Sequence, residues 1–344
     1  MDEMWAWLLL ADASLCLRYL VLTELLGRSE DDKEVKELRC LRTDDALVRD
    51  LVATQADDGS WPAVDAVSAA SLRTTATAQA LVRLGYLGFD CRYDAVRRAA
   101  EYLFSRQGSD GSWPLPRQEH DEKNEGYSLV SLQTSVPLRG LAACGYSADA
   151  RAERAYEWLL AQRLPDGAWP TGIAAGVYGY VAGYRKLPHS RWGCRSNTTA
   201  ALICLSLHPT RCSKQPAQRA LDLLLARETR EQYALGCEVA RMLGAERWRG
   251  FFTLFARFDL ALILDLCWRI GAHSADPRVA EVAEFVGSLR GLYGAWEYPS
   301  APQIARWVTF DIARSLSRVA DSGAWVGREP RTPFRAYPKQ RPRY

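Results

Sequence analysis

The sequence has no surplus of charge of either sign. Lysine and arginine number 44 against 41 aspartate and glutamate residues, which leaves a net charge of +3 over 344 residues. A nucleic-acid-binding protein usually concentrates positive charge on one surface, so this balance argues against nucleic acid as a partner.

Basic residues cluster in the Pro-rich C-terminal tail, residues 328–344. That tail is predicted to wrap over the domain, and contact with a lipid headgroup or an acidic partner is the alternative.

Paired cysteines and long apolar runs are also missing. The nine cysteines are scattered, and none shows Cys-x-x-Cys spacing. This pattern favours reduced, buried thiols over a disulfide framework.

The apolar stretch near the N-terminus has no basic residues before it and is too short to span a membrane, so we interpret Trp5 to Leu26 as one packed helix. We expect a cytoplasmic protein, with peripheral contact to a membrane as the alternative.

What the sequence does contain is a recurring turn. Gln55-Ala-Asp-Asp-Gly-Ser-Trp61 returns as Gln107 to Trp113 and as Gln162 to Trp169, and a degenerate copy, Gly291 to Trp296, closes the series. The first three tryptophans lie 52 and 56 residues apart, and the last follows after 127 residues, about two further periods. Self-similarity at a period of this size indicates a repeated supersecondary unit.

Each copy of the turn follows an apolar helical pattern. The Asp-Gly pair is expected to stop that helix because glycine tolerates positive φ, and the proline after the first three tryptophans prevents its continuation. The unit is therefore a helix, a tight turn and a second helix. The glutamine is expected to bond the turn backbone and the tryptophan to pack over it, which makes both structural. A ring or a solenoid of about five or six such hairpins fits the chain, with predicted inner helices at 71–84, 128–143, 196–207, 251–269 and 307–319.

This turn, at this period and between helix pairs, resembles the repeat of squalene-hopene and oxidosqualene cyclases, and it is similar to the repeat of protein prenyltransferase β subunits. The resemblance covers roughly residues 51–319. Residues 13–27 also resemble the start of small bacterial squalene-cyclase-like proteins. The resemblance implies an all-α fold: a single α/α toroid domain over residues 1–344, with residues 1–50 as a helical region packed on it. It also implies inner helices around a central cavity and an isoprenoid or other apolar small molecule as the ligand.

The chemical motifs of those families are incomplete here. The cyclases protonate an alkene or epoxide with the central acid of an Asp-x-Asp-Asp motif, which this sequence lacks. The prenyltransferase subunits bind zinc through an Asp-x-Cys pair and a later histidine. Asp265-Leu266-Cys267 has the spacing of the pair, but the last histidine, His273, follows only six residues on. A catalytic zinc needs three protein ligands, so no cofactor is predicted; zinc or magnesium at Asp265 and Cys267 is the alternative.

Three aspartates inside apolar helical patterns are the candidate catalytic acids: Asp259, Asp265 and Asp311. A buried carboxylate is costly unless it is paired or protonated. If one of these aspartates faces a cavity, desolvation raises its pKa and suits it to general acid catalysis. The structural alternative is an ion pair, for instance between Asp311 and Arg314 or Arg306.

The long loop 176–195 is aromatic and basic, and it precedes a predicted inner helix. Long loops in compact domains are often functional. Aromatic faces stabilise cations, and arginines hold diphosphates; a plain ordered insertion is the alternative. With residues of the inner helices, the candidate substrate-binding residues are Tyr178, Tyr180, Tyr184, Arg191, Trp192, Arg195, Asn197, Arg257 and Trp307.

Three functions stay open. The first is a terpene-cyclase-like or prenyltransferase-like enzyme that acts on an isoprenoid or other apolar substrate in the central cavity. The second is a non-catalytic toroid that binds a lipid or a protein partner there, which the missing acid motif favours. The third, a carbohydrate-active or peptide-modifying toroid, rests on fold analogy alone. A deep cavity with an acid on its wall would favour the first, and a filled centre would favour the second.

Overall fold

The fold is given by a computed structural model. It describes residues 3–62, 69–114, 130–174, 177–227, 233–247, 254–255, 257–291, 293–321 and 323–331. The helices are α1 (Glu3–Leu10), α2 (Leu15–Leu20), α3 (Lys33–Leu41), α4 (Ala46–Val52), α5 (Ala69–Tyr86), α6 (Asp94–Ser105), α7 (Ser131–Ala143), α8 (Ala150–Ala161), α9 (Arg195–Ser206), α10 (Gln215–Leu225), α11 (Cys237–Met242), α12 (Leu260–Ile270), α13 (Pro277–Ser288) and α14 (Ala305–Asp321).

Shorter elements complete the described chain. A π-helical turn, Val21–Leu25, continues α2, and 3-10 turns lie at Arg42–Asp44, Gly183–Arg185 and Pro302–Ile304. Strands β1 (Ile173–Ala174) and β2 (Val177–Tyr178) pair antiparallel, with Ile173 opposite Tyr178. Strands β3 (Tyr233–Ala234) and β4 (Phe258–Asp259) pair parallel, with Tyr233 opposite Phe258. No helix in the ranges that the structure describes is long and apolar enough to cross a membrane.

Alternate helices form an inner ring. Helices α5, α7, α9, α12 and α14 pack against one another in that order, and α11 contacts both α14 and α5. Helices α6, α8, α10 and α13 form an outer layer, each packed on the inner helix that precedes it. The result is a helical toroid. The N-terminal region joins it where α1 and the turn Val21–Leu25 contact α14.

Small residues let the inner helices approach closely. A Cβ atom on Gly140 of α7 would lie 2.7 Å from the carbonyl oxygen of Ala78, and one on Gly85 of α5 would lie 2.7 Å from the Cβ of Ala143. Only glycine permits backbones this close. Helix α9 is buried at every residue, whereas outer helix α6 buries one face and leaves polar residues in solvent. The two layers therefore follow from the two kinds of apolar pattern.

The four tryptophan turns share two contacts. Each indole Nε1 donates to a carbonyl oxygen ten residues earlier, at or near the end of the preceding outer-layer helix, over 2.7 to 2.8 Å: Leu51, Leu103, Leu159 and Val286. Each tryptophan backbone N–H donates to a threonine hydroxyl on the next inner helix over 2.9 to 3.2 Å: Thr77, Thr134, Thr198 and Thr309. Each turn therefore ties an outer helix to the inner helix that follows it.

The glutamine and glycine of the turn tie successive outer helices together. Gln107 Nε2 donates to the carbonyl oxygens of Gly111 and Arg151, both at 2.9 Å, so that it spans its own turn and the start of α8. Gln55 makes the same pair of bonds one unit earlier. Gly111 has a φ of +92°, and a Cβ atom there would lie 2.5 Å from the carbonyl oxygen of Arg154. The position accepts only glycine, both for its backbone angle and for the space available.

Two predicted helices are wrong in their bounds. The run from Trp5 to Leu26 breaks at residues 11–14, where Ser14 caps α2 and donates to Asp45 Oδ2 over 2.6 Å. The inner helix predicted at 251–269 begins only at Leu260, because residues 258–259 form β4. Apolar periodicity continues through both breaks, so the side-chain caps decide where the helices start. The basic tail from residue 332 onward lies outside the described residues.

Candidate functional site

The inner ring encloses a cavity of about 340 Å³. Its wall comes from α5, α7, α9, α11, α12, α14 and the turn Val21–Leu25. Ala143 and Ser206, the last residues of α7 and α9, lie on the wall, as does Tyr86 at the end of α5. The cavity therefore lies toward the C-terminal ends of the inner helices. It is of the size that small-ligand pockets begin to reach, about 300 Å³.

Charged side chains of both signs dominate the wall. The carboxylates are Glu24, Glu238, Asp265 and Asp311, and the guanidinium groups are Arg139, Arg269, Arg314 and Arg318. Side chains at the rim, such as Glu24 and Arg318, are 29% and 25% exposed, whereas those deeper in, such as Glu238 and Asp311, are 3% and 7% exposed. With all eight groups ionised, the two signs on the wall balance.

Helix α11 lies within the ring. All of its residues, from Cys237 to Met242, are buried. Glu238 bonds Arg139 of α7 and forms an ion pair of 2.9 Å with Arg241. Arg83 of α5 donates from Nε to the carbonyl oxygen of Met242 over 2.9 Å. These contacts fill part of the centre that a simple ring of inner helices would leave open.

Asp259 holds α11 in this place. Its carboxylate accepts the backbone N–H groups of Gly236 and Glu238 at 2.8 and 2.7 Å, and it caps α12 through the N–H of Ala261 at 3.2 Å. Burial raises the pKa of Asp259, although the bonds from the backbone oppose that rise. Asp259 is not among the described residues on the cavity wall. Asp259 therefore caps the N-termini of two helices, α11 and α12.

The other two candidate acids lie on the cavity wall and share one guanidinium group. Arg314 donates from Nη2 to Asp311 Oδ1 over 2.6 Å, and the same nitrogen lies 3.9 Å from Asp265 Oδ1. Asp265 accepts from Arg269 Nε over 2.7 Å, and Arg314 also reaches Glu24 over 3.0 Å. The expected Asp311–Arg314 pair is therefore present, whereas Arg306 contacts Asp12 instead, at 3.3 Å.

The pKa values of these two carboxyl groups move in opposite directions. Burial raises the pKa of Asp311 to about 7, with a further rise from the charge of Asp265, and Arg314 opposes both. Burial alone would also raise the pKa of Asp265, but Arg269 and Arg314 outweigh it and lower that pKa. Two nearby carboxyl groups seldom both ionise, and the one with more cationic neighbours gives up its proton first. The proton is therefore held more readily by Asp311 than by Asp265.

Few aromatic rings line the cavity, and two arginine side chains lie over one of them, Trp268. Trp268 has the guanidinium groups of Arg318 and Arg269 at 4.1 and 4.8 Å from its ring centroid. Tyr86 packs against Trp307, with the ring centroids 5.7 Å apart. Trp307 itself is buried behind the wall, so this candidate binding residue supports Tyr86.

The structure does not bring the loop candidates to the cavity. Tyr178 packs on Trp192 at 5.9 Å, while Tyr180 and Tyr184 are 78% and 46% exposed. Arg195 donates to the carbonyl oxygen of Tyr184 over 2.7 Å. Arg191 lies over the ring of Trp192, Asn197 accepts from the backbone of Leu132, and Arg257 contacts Glu246. None of these described residues lines the cavity.

The chain offers a poor fit for zinc at the Asp-x-Cys pair. Asp265 lies on the cavity wall, but Cys267 is fully buried and is not part of that wall. Burial raises the pKa of the Cys267 thiol, whereas zinc binds the thiolate. Within the described residues, no group of three or more His, Cys, Asp and Glu side chains is arranged to hold a metal ion.

Residues 21–182 match the family model of the squalene-hopene cyclase C-terminal domain. The chain is squalene-cyclase-like. Human lanosterol synthase is 34% identical over 85 residues, which are 24% of this chain and 12% of that enzyme. Lanosterol synthase of Candida albicans is 29% identical over 127 residues, 36% of this chain and 17% of that enzyme. Most of the length of each relative thus lies outside the alignment.

The solved structures to which the chain is similar are more distant in sequence. A crystal structure of a protein from Actinoplanes is 19% identical, with a TM-score of 0.45, and the match covers 79% of this chain and 72% of that one. A complex of the type II terpene cyclase MstE from Scytonema with geranylgeranyl dihydroxybenzoate is 15% identical, with a TM-score of 0.36, covering 80% of this chain and 96% of that one.

In this squalene-cyclase-like chain, sequence reasoning missed several residues of the cavity: Glu24, Tyr86, Arg139, Glu238, Trp268, Arg269 and Arg318. Glu24 and Glu238 could have been found, since each is a carboxylate within an apolar run, which is the signal that identified the three aspartates. Tyr86 carried no such signal, because a tyrosine at the end of an amphipathic helix is ordinary.

Proposed function

We propose that this chain holds an isoprenoid or another apolar molecule in the central cavity and donates a proton to it from Asp311. The observation that carries the proposal is a buried carboxyl group on the cavity wall whose pKa is raised to about 7 by burial. A group with that pKa is protonated in about half of the molecules at pH 7, which is the condition for a general acid. The ionised Asp265 beside it supplies the fixed negative charge that keeps the proton on Asp311.

The apolar part of the wall supports an apolar ligand. Val82, Ile203 and Leu262 come from three different inner helices, and Met242 of α11 joins them. Apolar surface removed from water contributes about 25 cal/mol per Å² to binding. A methionine adapts to ligands of different shape because its side chain is flexible and polarisable. An isoprenoid chain seated here would place its carbons beside the Asp311 carboxyl group.

Two observations favour a second candidate function, ligand binding without catalysis. Helix α11 occupies part of the centre, and its Glu238 is fixed by Arg139 and Arg241. In addition, the guanidinium groups of Arg269 and Arg318 lie over Trp268, so that this ring is not free to stabilise a carbocation. The first candidate is the better supported, because the carboxyl group with the raised pKa belongs to a residue of the cavity wall and not to a helix cap such as Asp259.

The test compares three proteins on one panel of substrates. The wild-type chain, Asp311→Asn and Asp276→Asn are each incubated with squalene, geranylgeraniol and prenyl diphosphates, and substrate loss and product formation are followed by mass spectrometry. Asp276 is the matched control, since it is 1% exposed and is paired with Arg278 at 2.7 Å outside the cavity. Loss of a general acid lowers turnover by about 10²- to 10⁴-fold, so Asp311→Asn should lose activity and Asp276→Asn should keep it if folded.

Absence of turnover across the panel would contradict the catalytic proposal. If the wild-type chain still binds one of these molecules in calorimetry, the binding function stands in its place. Equal turnover by the wild-type chain and Asp311→Asn would remove Asp311 from the reaction and leave the activity to another group.

A further inference from the structure

Three buried polar atoms, each in a residue that lines the cavity, have no hydrogen-bond partner within the described residues. They are the Tyr86 hydroxyl, Asp265 Oδ1 and Arg314 Nε. Glu238 Oε2 also lacks a hydrogen bond of good geometry, but it faces Arg241 in an ion pair of 2.9 Å. A buried polar group without a partner is unfavourable, and folded proteins contain few of them. Three in one cavity therefore indicate a polar group that belongs there in the functional state.

The three atoms differ in what they can bond. The carboxylate oxygen of Asp265 only accepts, Arg314 Nε only donates, and the Tyr86 hydroxyl does both. A partner that satisfies Asp265 must carry a hydrogen on an electronegative atom, and one that satisfies Arg314 must offer a lone pair. A hydroxyl group has both, so a single hydroxyl can serve an acceptor and a donor of the wall at the same time.

Charge on the wall argues against an ionic ligand. The four carboxyl groups and four guanidinium groups leave at most one net positive charge, when Asp311 is protonated, and Asp265, Asp311 and Glu24 each already contact at least one arginine. A diphosphate would have to break these ion pairs to reach the arginines, and an ammonium group would have to break them to reach the carboxylates. A hydrocarbon would leave the three polar atoms unsatisfied and newly shielded from water.

We propose that the ligand of this cavity is an apolar skeleton with one neutral hydroxyl group, which donates to Asp265 Oδ1 and accepts from the Tyr86 hydroxyl. The inference rests on the proposed function in so far as it places an apolar molecule in the cavity, but it does not require that the molecule be turned over. Tyr86 is then a specificity-determining residue. The ring of Trp307, 5.7 Å away, helps to fix the tyrosine ring in position.

The first arm of the test varies the ligand. Binding of farnesol, farnesyl methyl ether, farnesene and farnesyl diphosphate to the whole chain is measured by titration calorimetry at pH 7.5. Farnesol should bind most tightly. The methyl ether cannot donate to the Asp265 carboxylate, and a hydrogen bond to a charged group accounts for at least about tenfold in affinity. Farnesene, which can neither donate nor accept, should bind no better than the ether.

The second arm varies the protein. Tyr86→Phe should weaken farnesol binding by about 2- to 12-fold, the range expected for one neutral hydrogen bond, and should leave farnesene binding unchanged. Tyr146→Phe is the matched control, because Tyr146 packs on Phe104 away from the cavity. Tyr86→Phe should also leave the melting temperature of the unliganded chain unchanged or slightly raised, since the hydroxyl has no partner to lose. A clear loss of thermal stability would show that it does have one.

Equal or tighter binding of farnesene or farnesyl diphosphate overturns the inference, as does the failure of every probe to bind. Failure of the proposed function looks different. Selective binding of farnesol without any product would remove the catalysis and leave the hydroxyl recognition. Turnover of a hydrocarbon that binds as tightly as farnesol would support the catalysis and remove the hydroxyl recognition.

Discussion

Glu238 is one of the buried carboxylates that hold α11 inside the ring, and its removal is a direct test of the structure. Glu238 is 3% exposed and lies between Arg139 of α7 and Arg241 of its own helix. Glu238→Gln removes the negative charge that both guanidinium groups face, while keeping the shape of the side chain. Breaking a buried ion pair from one side costs about 3 to 5 kcal/mol, so we expect the free energy of unfolding to fall by that amount.

Urea unfolding, followed by far-ultraviolet circular dichroism, measures the loss. Arg139→Met and the double variant complete the cycle. The double variant removes one of the two cations that the glutamine would face, so its cost should fall short of the sum of the single costs by about 0.5 to 3 kcal/mol. Asp94→Asn is the control, because Asp94 pairs with Arg97 at 2.7 Å but is 64% exposed; exposed pairs contribute about 0 to 1 kcal/mol.

A cost for Glu238→Gln that is no larger than that of Asp94→Asn would refute the reasoning, and so would strict additivity of the two single variants. Either result would mean that α11 does not lie against α7 as described.

The pH dependence of stability gives a second check. Burial favours the neutral form of Glu238, but Arg241 and Arg139 outweigh it and lower its pKa. The stabilisation is therefore present above the usual glutamate pKa and is lost as the pH falls through the lowered value; Glu238→Gln should lack this acid-dependent loss.

Three further predictions follow from single positions. Gly111→Ala should destabilise the chain by about 1 to 3 kcal/mol, measured by urea unfolding, because alanine is strained at a φ of +92° and its Cβ would lie 2.5 Å from Arg154 O; an unchanged midpoint would contradict this turn geometry. Asp259→Ala should cost at least about 1 kcal/mol, because the N–H of Gly236 and two others lose their acceptor, and Asp259→Asn, which keeps one acceptor oxygen, should cost less. The raised pKa of Asp311 means that its contribution to stability is fully present below about pH 4 and is lost as the pH rises through about 7. Wild type measured against Asp311→Asn should therefore lose relative stability across that range, and a flat difference would contradict the raised pKa.

Local patterns in the sequence were enough to identify the repeated unit. The Gln-x-x-Asp-Gly-x-Trp turn needs a glycine at positive φ and a tryptophan whose indole bonds a carbonyl oxygen ten residues earlier. Both residues are part of the motif, so they can be recognised in the sequence. Amphipathic periodicity likewise identifies an outer helix such as α6, whereas the complete burial of α9 could not be predicted from its polar first turns. The family match over residues 21–182 agrees with this interpretation of the sequence.

The candidate site was only partly predictable. All three aspartates were selected by one signal, a carboxylate in an apolar run, and that signal cannot tell a helix cap from a cavity wall. Asp259 meets backbone N–H groups more than twenty residues away in the chain, whereas Asp311 and Asp265 meet across α14 and α12 around one arginine. Loop residues such as Tyr180 had the right chemistry for a cavity but lie in solvent.

The turns and the amphipathic outer helices were predictable from residues that lie close together in the chain, whereas the choice of a toroid over a solenoid came from the resemblance to the cyclases. The tertiary structure decided what the toroid encloses. Arg139 and Glu238 are 99 residues apart in sequence, and their pairing, which seats α11 in the ring, has no local signature. The opposite pKa shifts of Asp265 and Asp311 have no local signature either. Burial and the position of Arg314 cause these shifts, and the two carboxyl groups are buried beside Arg314 only when α12 and α14 pack together.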